Sequence, residues 1–103
     1  MSKRSIIAKL TCDPENVGDF EAALAGLVQG AEEETGLEIY SVHKDNDEAG
    51  TYWFFELYTD EAALGVHGQG DGMKAAMGAV GGLLNAKPDV KILAPTVAKG
   101  LEL

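Results

Sequence analysis

The chain is poor in basic residues and in cysteine, and it has no long apolar run. Lys and Arg number 8 against 17 Asp and Glu among 103 residues, a formal net charge of −9. Nucleic acids and anionic membrane surfaces are gripped through Lys and Arg, so this balance argues against both as partners. A single cysteine, Cys12, cannot close an intramolecular disulfide. No stretch approaches the length of a membrane span or of a signal-peptide core with its cleavage site. Together these point to a soluble, cytoplasmic protein that meets small molecules or other proteins. With 2 histidines and neither a CxxC nor an HExxH spacing, the chain also lacks a recognisable metal-ligand set.

What is present fits one domain, residues 1–103. Ser5 to Thr11 is β-branched and partly alternating, and Asp13-Pro14 then offers an N-cap residue followed by proline at the first helical position. Phe20, Leu24, Leu27, Val28 and Ala31 recur at helical spacing up to Gly36, which suits a left-handed C-cap, so the first helix is predicted over Pro14 to Thr35. Leu37 to Lys44 reads as a second strand, Asp45 to Gly50 as a polar hairpin loop and Thr51 to Thr59 as a third strand. Asp60 is placed to cap a short helix through Glu61 to Leu64. A glycine-rich patch then leads into a longer helix carrying Met73, Met77, Val80 and Leu84. In that helix Ala75, Gly78, Ala79, Gly82 and Ala86 form a small-residue ridge expected to approach the sheet closely. Val90 to Ala94, stopped by Pro95, is the last strand, and 96–103 form a tail.

The predicted order β-α-β-β-α-β is the split βαβ, or ferredoxin-like, α+β arrangement, an antiparallel sheet with its helices on one face. In Tyr52-Trp-Phe-Phe-Glu-Leu-Tyr58 one alternating set is Tyr52, Phe54, Glu56 and Tyr58 and the other is Trp53, Phe55 and Leu57, so both faces are apolar. Two helices cover only one of them. A second copy of the sheet is the economical cover for the other.

The run Phe54-Phe-Glu-Leu-Tyr-Thr-Asp-Glu-Ala-Ala-Leu-Gly-Val-His67, with Glu34-Thr-Gly36, Tyr40-Ser-Val-His43 and Ala98-Lys-Gly100, resembles the antibiotic biosynthesis monooxygenase superfamily over nearly the whole chain. Its most specific part is Glu-x-Tyr-x-Asp-x-x-Ala-x-x-x-His. The resemblance implies a ferredoxin-like domain that pairs into a dimeric α/β barrel. It also implies one of three activities: cofactor-independent oxygenation of quinols and polyketide aromatics, haem degradation, or action on small signalling sugars. The chain departs from the pattern after the short helix. Where many members read His-x-x-[Ser/Thr]-x-His-Phe, it has His67-Gly-Gln-Gly-Asp-Gly-Met73, so Gly72 stands at the second histidine position. The Asn and Trp positions of the haem-degrading branch are not evident either, with Ala8 in the first strand and Trp53 early in its own strand. Haem degradation is therefore disfavoured.

The glycine patch is not a phosphate cradle. Gly68, Gly70 and Gly72 alternate and Met73 follows, which matches neither a dinucleotide fingerprint nor a P-loop. Its simpler use is a joint between two helices. His67 has the side chain whose proton affinity lies nearest neutrality and can serve as a base oriented by Asp71, or it can plug the end of the sheet against a backbone carbonyl. Glu56, between Phe55 and Leu57, must find a partner if both faces are buried. It can stand beside His67 in a pocket or bind Lys44 or Tyr40 across the strands. The candidate catalytic residues are His67 and Glu56. The candidate walls for a small aromatic or quinol-like substrate are Tyr40, Trp53, Phe54, Tyr58, Asp71, Met73 and Met77.

The function these residues and the resemblance imply is oxidation of a quinol or polycyclic phenol by dioxygen with no bound cofactor. Proton-transfer isomerisation or cleavage of a small hydroxy-ketone sugar is the alternative enzyme reading. A non-catalytic ligand-binding dimer is the third. For the predicted sheet-against-sheet homodimer, light scattering on dilute protein should report twice the chain mass; a monomer that persists on raising the concentration would refute it.

Overall fold

The computed structural model describes residues 2–66 and 71–103, and the side chains of all of these except 66 and 71–73. Strand β1 (Arg4–Thr11) is followed by a 3-10 turn (Pro14–Asn16), helix α1 (Val17–Ala31), strands β2 (Leu37–Lys44) and β3 (Thr51–Tyr58), helices α2 (Glu61–Val66) and α3 (Asp71–Gly81), and strand β4 (Asp89–Leu93). The sheet order is β2-β3-β1-β4, and every neighbouring pair is antiparallel. β1 and β2 flank β3, so the connection through α1 is the split βαβ of the ferredoxin-like fold.

Alternation along the strands decides which residues meet the helices. Register pairs Ile6 with Glu56 and Ala8 with Phe54, and β2 sets Tyr40 against Glu56 and Val42 against Phe54. This inner face carries the core. Phe20, Leu24, Leu27 and Ala31, at i, i+4, i+7 and i+11 of α1, are buried on it, with Ile6, Ala8, Tyr52, Phe54 and Tyr58 of the sheet and Val80 of α3. Phe20 and Tyr52 meet as tilted rings 5.2 Å apart. On the opposite face of β3 Trp53 is 38% exposed and Phe55 half-buried, while Leu57 is buried.

Several expectations are corrected. The first helix does not run from Pro14 to Thr35: proline starts a 3-10 turn, α1 begins at Val17 and ends at Ala31, and three consecutive glutamates follow, where the helix dipole disfavours negative charge. Asp13 makes no cap hydrogen bond; its Oδ1 accepts from Asn85 Nδ2 at 3.0 Å. Gly36 is not left-handed, since the positive-φ residues among those described are Gly50 and Gly100. Its requirement is space: Ala63 of α2 occupies the place its Cβ would take, and its carbonyl accepts the Thr59 N–H at 2.9 Å. The small-residue ridge of the second helical segment also points elsewhere, with Ala75, Gly78, Ala79, Gly82 and Ala86 all exposed. The close helix approach is Gly26 against Ala76, between α1 and α3. Leu84 lies beyond α3 and bridges to Cys12.

The cap on α2 is as predicted, Asp60 Oδ1 accepting the Ala63 N–H at 2.8 Å. No helix among the described residues is long and apolar enough to cross a membrane.

Glycine replacement separates the roles. At Gly50 φ is 79°, and a Cβ there would strike the Cys12 carbonyl oxygen, so Gly50→Ala should lower stability. A cost of about 1–3 kcal/mol is expected from left-handed backbone alone. Gly78, mid-helix with open space around it, should gain about 0.5–1 kcal/mol as alanine. Urea denaturation of the two variants measures both signs.

Candidate functional site

The inner face of β3 presents Phe54, Glu56 and Tyr58 in alternation, and their environment differs sharply from that of the outer set. Glu56 is 6% exposed and Tyr58 is fully buried. The Tyr58 hydroxyl donates to Glu56 Oε1 at 2.5 Å, a short bond of the kind expected when a carboxylate accepts from a hydroxyl away from water. Burial is the main reason the Tyr58 phenol is pushed far above its ordinary range, with the hydrogen bond to Glu56 and the Glu56 charge adding to it. The Tyr40 phenol, paired across the sheet with Glu56, is likewise raised by burial and then by the charges of Glu56 and Glu34. Both phenols therefore stay protonated at neutral pH and serve as hydrogen-bond donors.

Above this group, between sheet and α3, lies a cavity of about 320 Å³. Tyr40, Phe54 and Glu56 line its floor, Met77 and Val80 its roof, and Ile6, Ala8 and Val90 its far side. Tyr40 and Phe54 meet edge to face at 6.0 Å. The lining is apolar apart from the carboxylate and one phenol, the composition of a site that holds a flat apolar ligand by one polar end.

A second cavity, of about 360 Å³, runs between α1 and β2 and shares Tyr40 as a wall. At its rim Glu21 accepts from the Tyr52 hydroxyl at 2.6 Å and pairs with Lys44 at 2.9 Å. The Tyr52 bond, then Lys44, hold the Glu21 carboxyl below its usual range. Sequence patterning missed this triad, because only the register that sets Lys44 opposite Tyr52 brings it together. Lys44 is thus engaged by Glu21, which removes it as the cross-strand partner considered for Glu56.

Of the residues expected at a site, Tyr40, Phe54, Glu56, Tyr58 and Met77 gather here. Trp53 does not. It stands on the outer face, its Nε1 donating to Asp45 Oδ2 at 2.9 Å with the Lys9 ammonium 5.5 Å from the ring centroid. His67 lies outside the described residues, as do the side chains of Asp71 and Met73. The sequence follows directly from α2 to His67, and Asp71 opens α3.

Comparison with known proteins places this geometry in context. The family model described as antibiotic biosynthesis monooxygenase matches residues 4–79. A Caulobacter crescentus protein, described as a candidate antibiotic biosynthesis monooxygenase, superimposes with a TM-score of 0.87 at 28% identity, covering 93% of this chain and 92% of its own. A Mycobacterium tuberculosis protein superimposes with a TM-score of 0.84 at 26% identity, over 94% of this chain and 98% of its own. No curated protein matches the sequence.

Removing the phenol oxygen strips the buried carboxylate of a donor. Tyr58→Phe should lower unfolding free energy by about 1–3 kcal/mol, read from urea denaturation, whereas the same change at Tyr52, whose acceptor Glu21 is only partly buried and also paired with Lys44, should cost less.

Proposed function

Because the chain belongs to the antibiotic biosynthesis monooxygenase family, we propose that it is a cofactor-independent monooxygenase that oxidises a quinol or polycyclic phenol with dioxygen. The observation that carries this reading is the Glu56–Tyr58 pair, buried beside an otherwise apolar cavity. In this reading the substrate ring lies against Phe54 and Met77, with an oxygen toward Glu56 and the Tyr40 hydroxyl. His67, with Asp71 to orient it, takes a phenolic proton, and Met73 adds to the apolar wall. Deprotonation makes the ring electron-rich enough to reduce dioxygen directly. A carbon–oxygen bond then forms, giving a ring hydroperoxide. Cleavage of its oxygen–oxygen bond, with loss of the ring proton, leaves a carbonyl and one water. For a hydroquinone the balance is one quinol and one dioxygen to one hydroxyquinone and one water. A dry pocket protects the anion and the reduced oxygen from wasteful protonation.

The same reading pairs two chains through their outer sheet faces. Ile7 and Trp53 are 39% and 38% exposed there, Leu93 is 42% exposed and Phe55 is half-buried, an apolar surface that a second copy would cover.

Oxygen uptake on a panel of hydroquinones and polycyclic phenols, with metal-stripped protein, tests the chemistry. Uptake should depend on the protein, fall by about 10²-fold or more in His67→Ala, and fall in Glu56→Gln without loss of fold. Wild type consuming no more oxygen than buffer would defeat the oxygenase reading. Turnover of a hydroxy-ketone under anaerobic conditions would replace it with proton-transfer isomerisation.

A further inference from the structure

The cavity is polar at one end only. Tyr40 and Glu56 belong to β2 and β3, whereas the lining toward β4 consists of Ile6, Ala8, Leu84, Pro88 and Val90, with no polar side chain among those described. The pairings Ala8 with Val90 and Ile6 with Ile92 carry this lining onward across the sheet. Ile6 and Ala8 are buried, at 8% and 5% exposure, but Val90 is 50% and Ile92 62% exposed on the same inner face. The cavity therefore opens onto an apolar strip at the edge strand. Two strand spacings separate Glu56 from β4, about 10 Å, which exceeds the width of a single phenolic ring.

Resting on the oxygenase reading above, we propose that the substrate is a quinol bearing an apolar side chain, its ring at Tyr40 and Glu56 and its chain leaving across Val90 and Ile92. The occupant follows from continuity: the strip is an extension of the cavity's own wall. Charge agrees, since a protein of net charge −9 with a carboxylate at the ring end favours an uncharged substituent over an anionic one. Met77, 39% exposed at the roof, supplies an unbranched side chain that conforms to chains of different length.

Anaerobic calorimetry with 1,4-naphthoquinols carrying methyl, propyl and hexyl substituents tests this without requiring turnover. In wild type the dissociation constant should fall about two- to fourfold per added methylene, the range expected for partial to full burial of each group. Ile92→Asp should flatten that dependence and Ile92→Leu should retain it, with circular dichroism and light scattering confirming that fold and mass are unchanged. Equal affinity for all three compounds in wild type overturns the proposal. So does a chain-length dependence that survives Ile92→Asp, and so does an Ile92→Asp variant of altered mass with the dependence intact, which would assign the strip to a second copy. Chain-length dependence without oxygen uptake would remove the oxygenase chemistry and leave this site standing. Oxygen uptake on short quinols with no such dependence would do the reverse.

Discussion

A carboxylate inside an apolar layer has to be satisfied, and the Tyr58 hydroxyl on Glu56 is the bond around which the inner face is organised. Both groups come from one strand two residues apart, so the backbone of β3 alone sets them side by side. That proximity is useful only if the face is dry. α1 provides the cover with its row of Phe20, Leu24, Leu27 and Ala31, and α3 completes it with Val80. The central position of β3, between β2 and β1, then brings Tyr40 from one neighbour and Ile6 and Ala8 from the other to the same patch. Sheet order, helix placement and the polar pair are thus parts of one solution.

The two faces of β3 consequently have different chemistry from the same composition. Inside, aromatic rings surround one carboxylate and two phenols that burial keeps protonated. Outside, Trp53 spends its N–H on Asp45, an exposed carboxylate that this bond holds below its usual range, and stacks under the Lys9 ammonium. Such a face tolerates water at its rim.

Local patterning made much of this legible. The strand alternation of Phe54, Glu56 and Tyr58, the helical row of α1 and the Asp60 cap are short-range features, and each stands where residue periodicity put it. The features that escaped depend on partners far apart in the chain. Gly36 reads as a helix terminator until Ala63, from the far side of two strands, is seen to occupy the space beside it. Trp53 and Phe54 are equally aromatic, and only the helix layer distinguishes the wall of a cavity from the outer surface. Lys44 has several acidic residues within plausible reach in sequence, and register gives it to Glu21. The small residues of α3 suggest a close contact, but helical phase relative to α1 turns them to solvent and assigns the contact to Gly26 and Ala76.

Tyr40 walls two cavities at once, one beneath α3 and one beneath the outer edge of α1. Its ring is a wall common to both volumes. Were a ligand in one space to shift that ring, the affinity of the other would change, and thermodynamic reciprocity would make the effect equal in both directions. A molecule seated against Val28 and Val42, remote in sequence from Glu56, would in this way reach the polar end of the inner cavity without touching it.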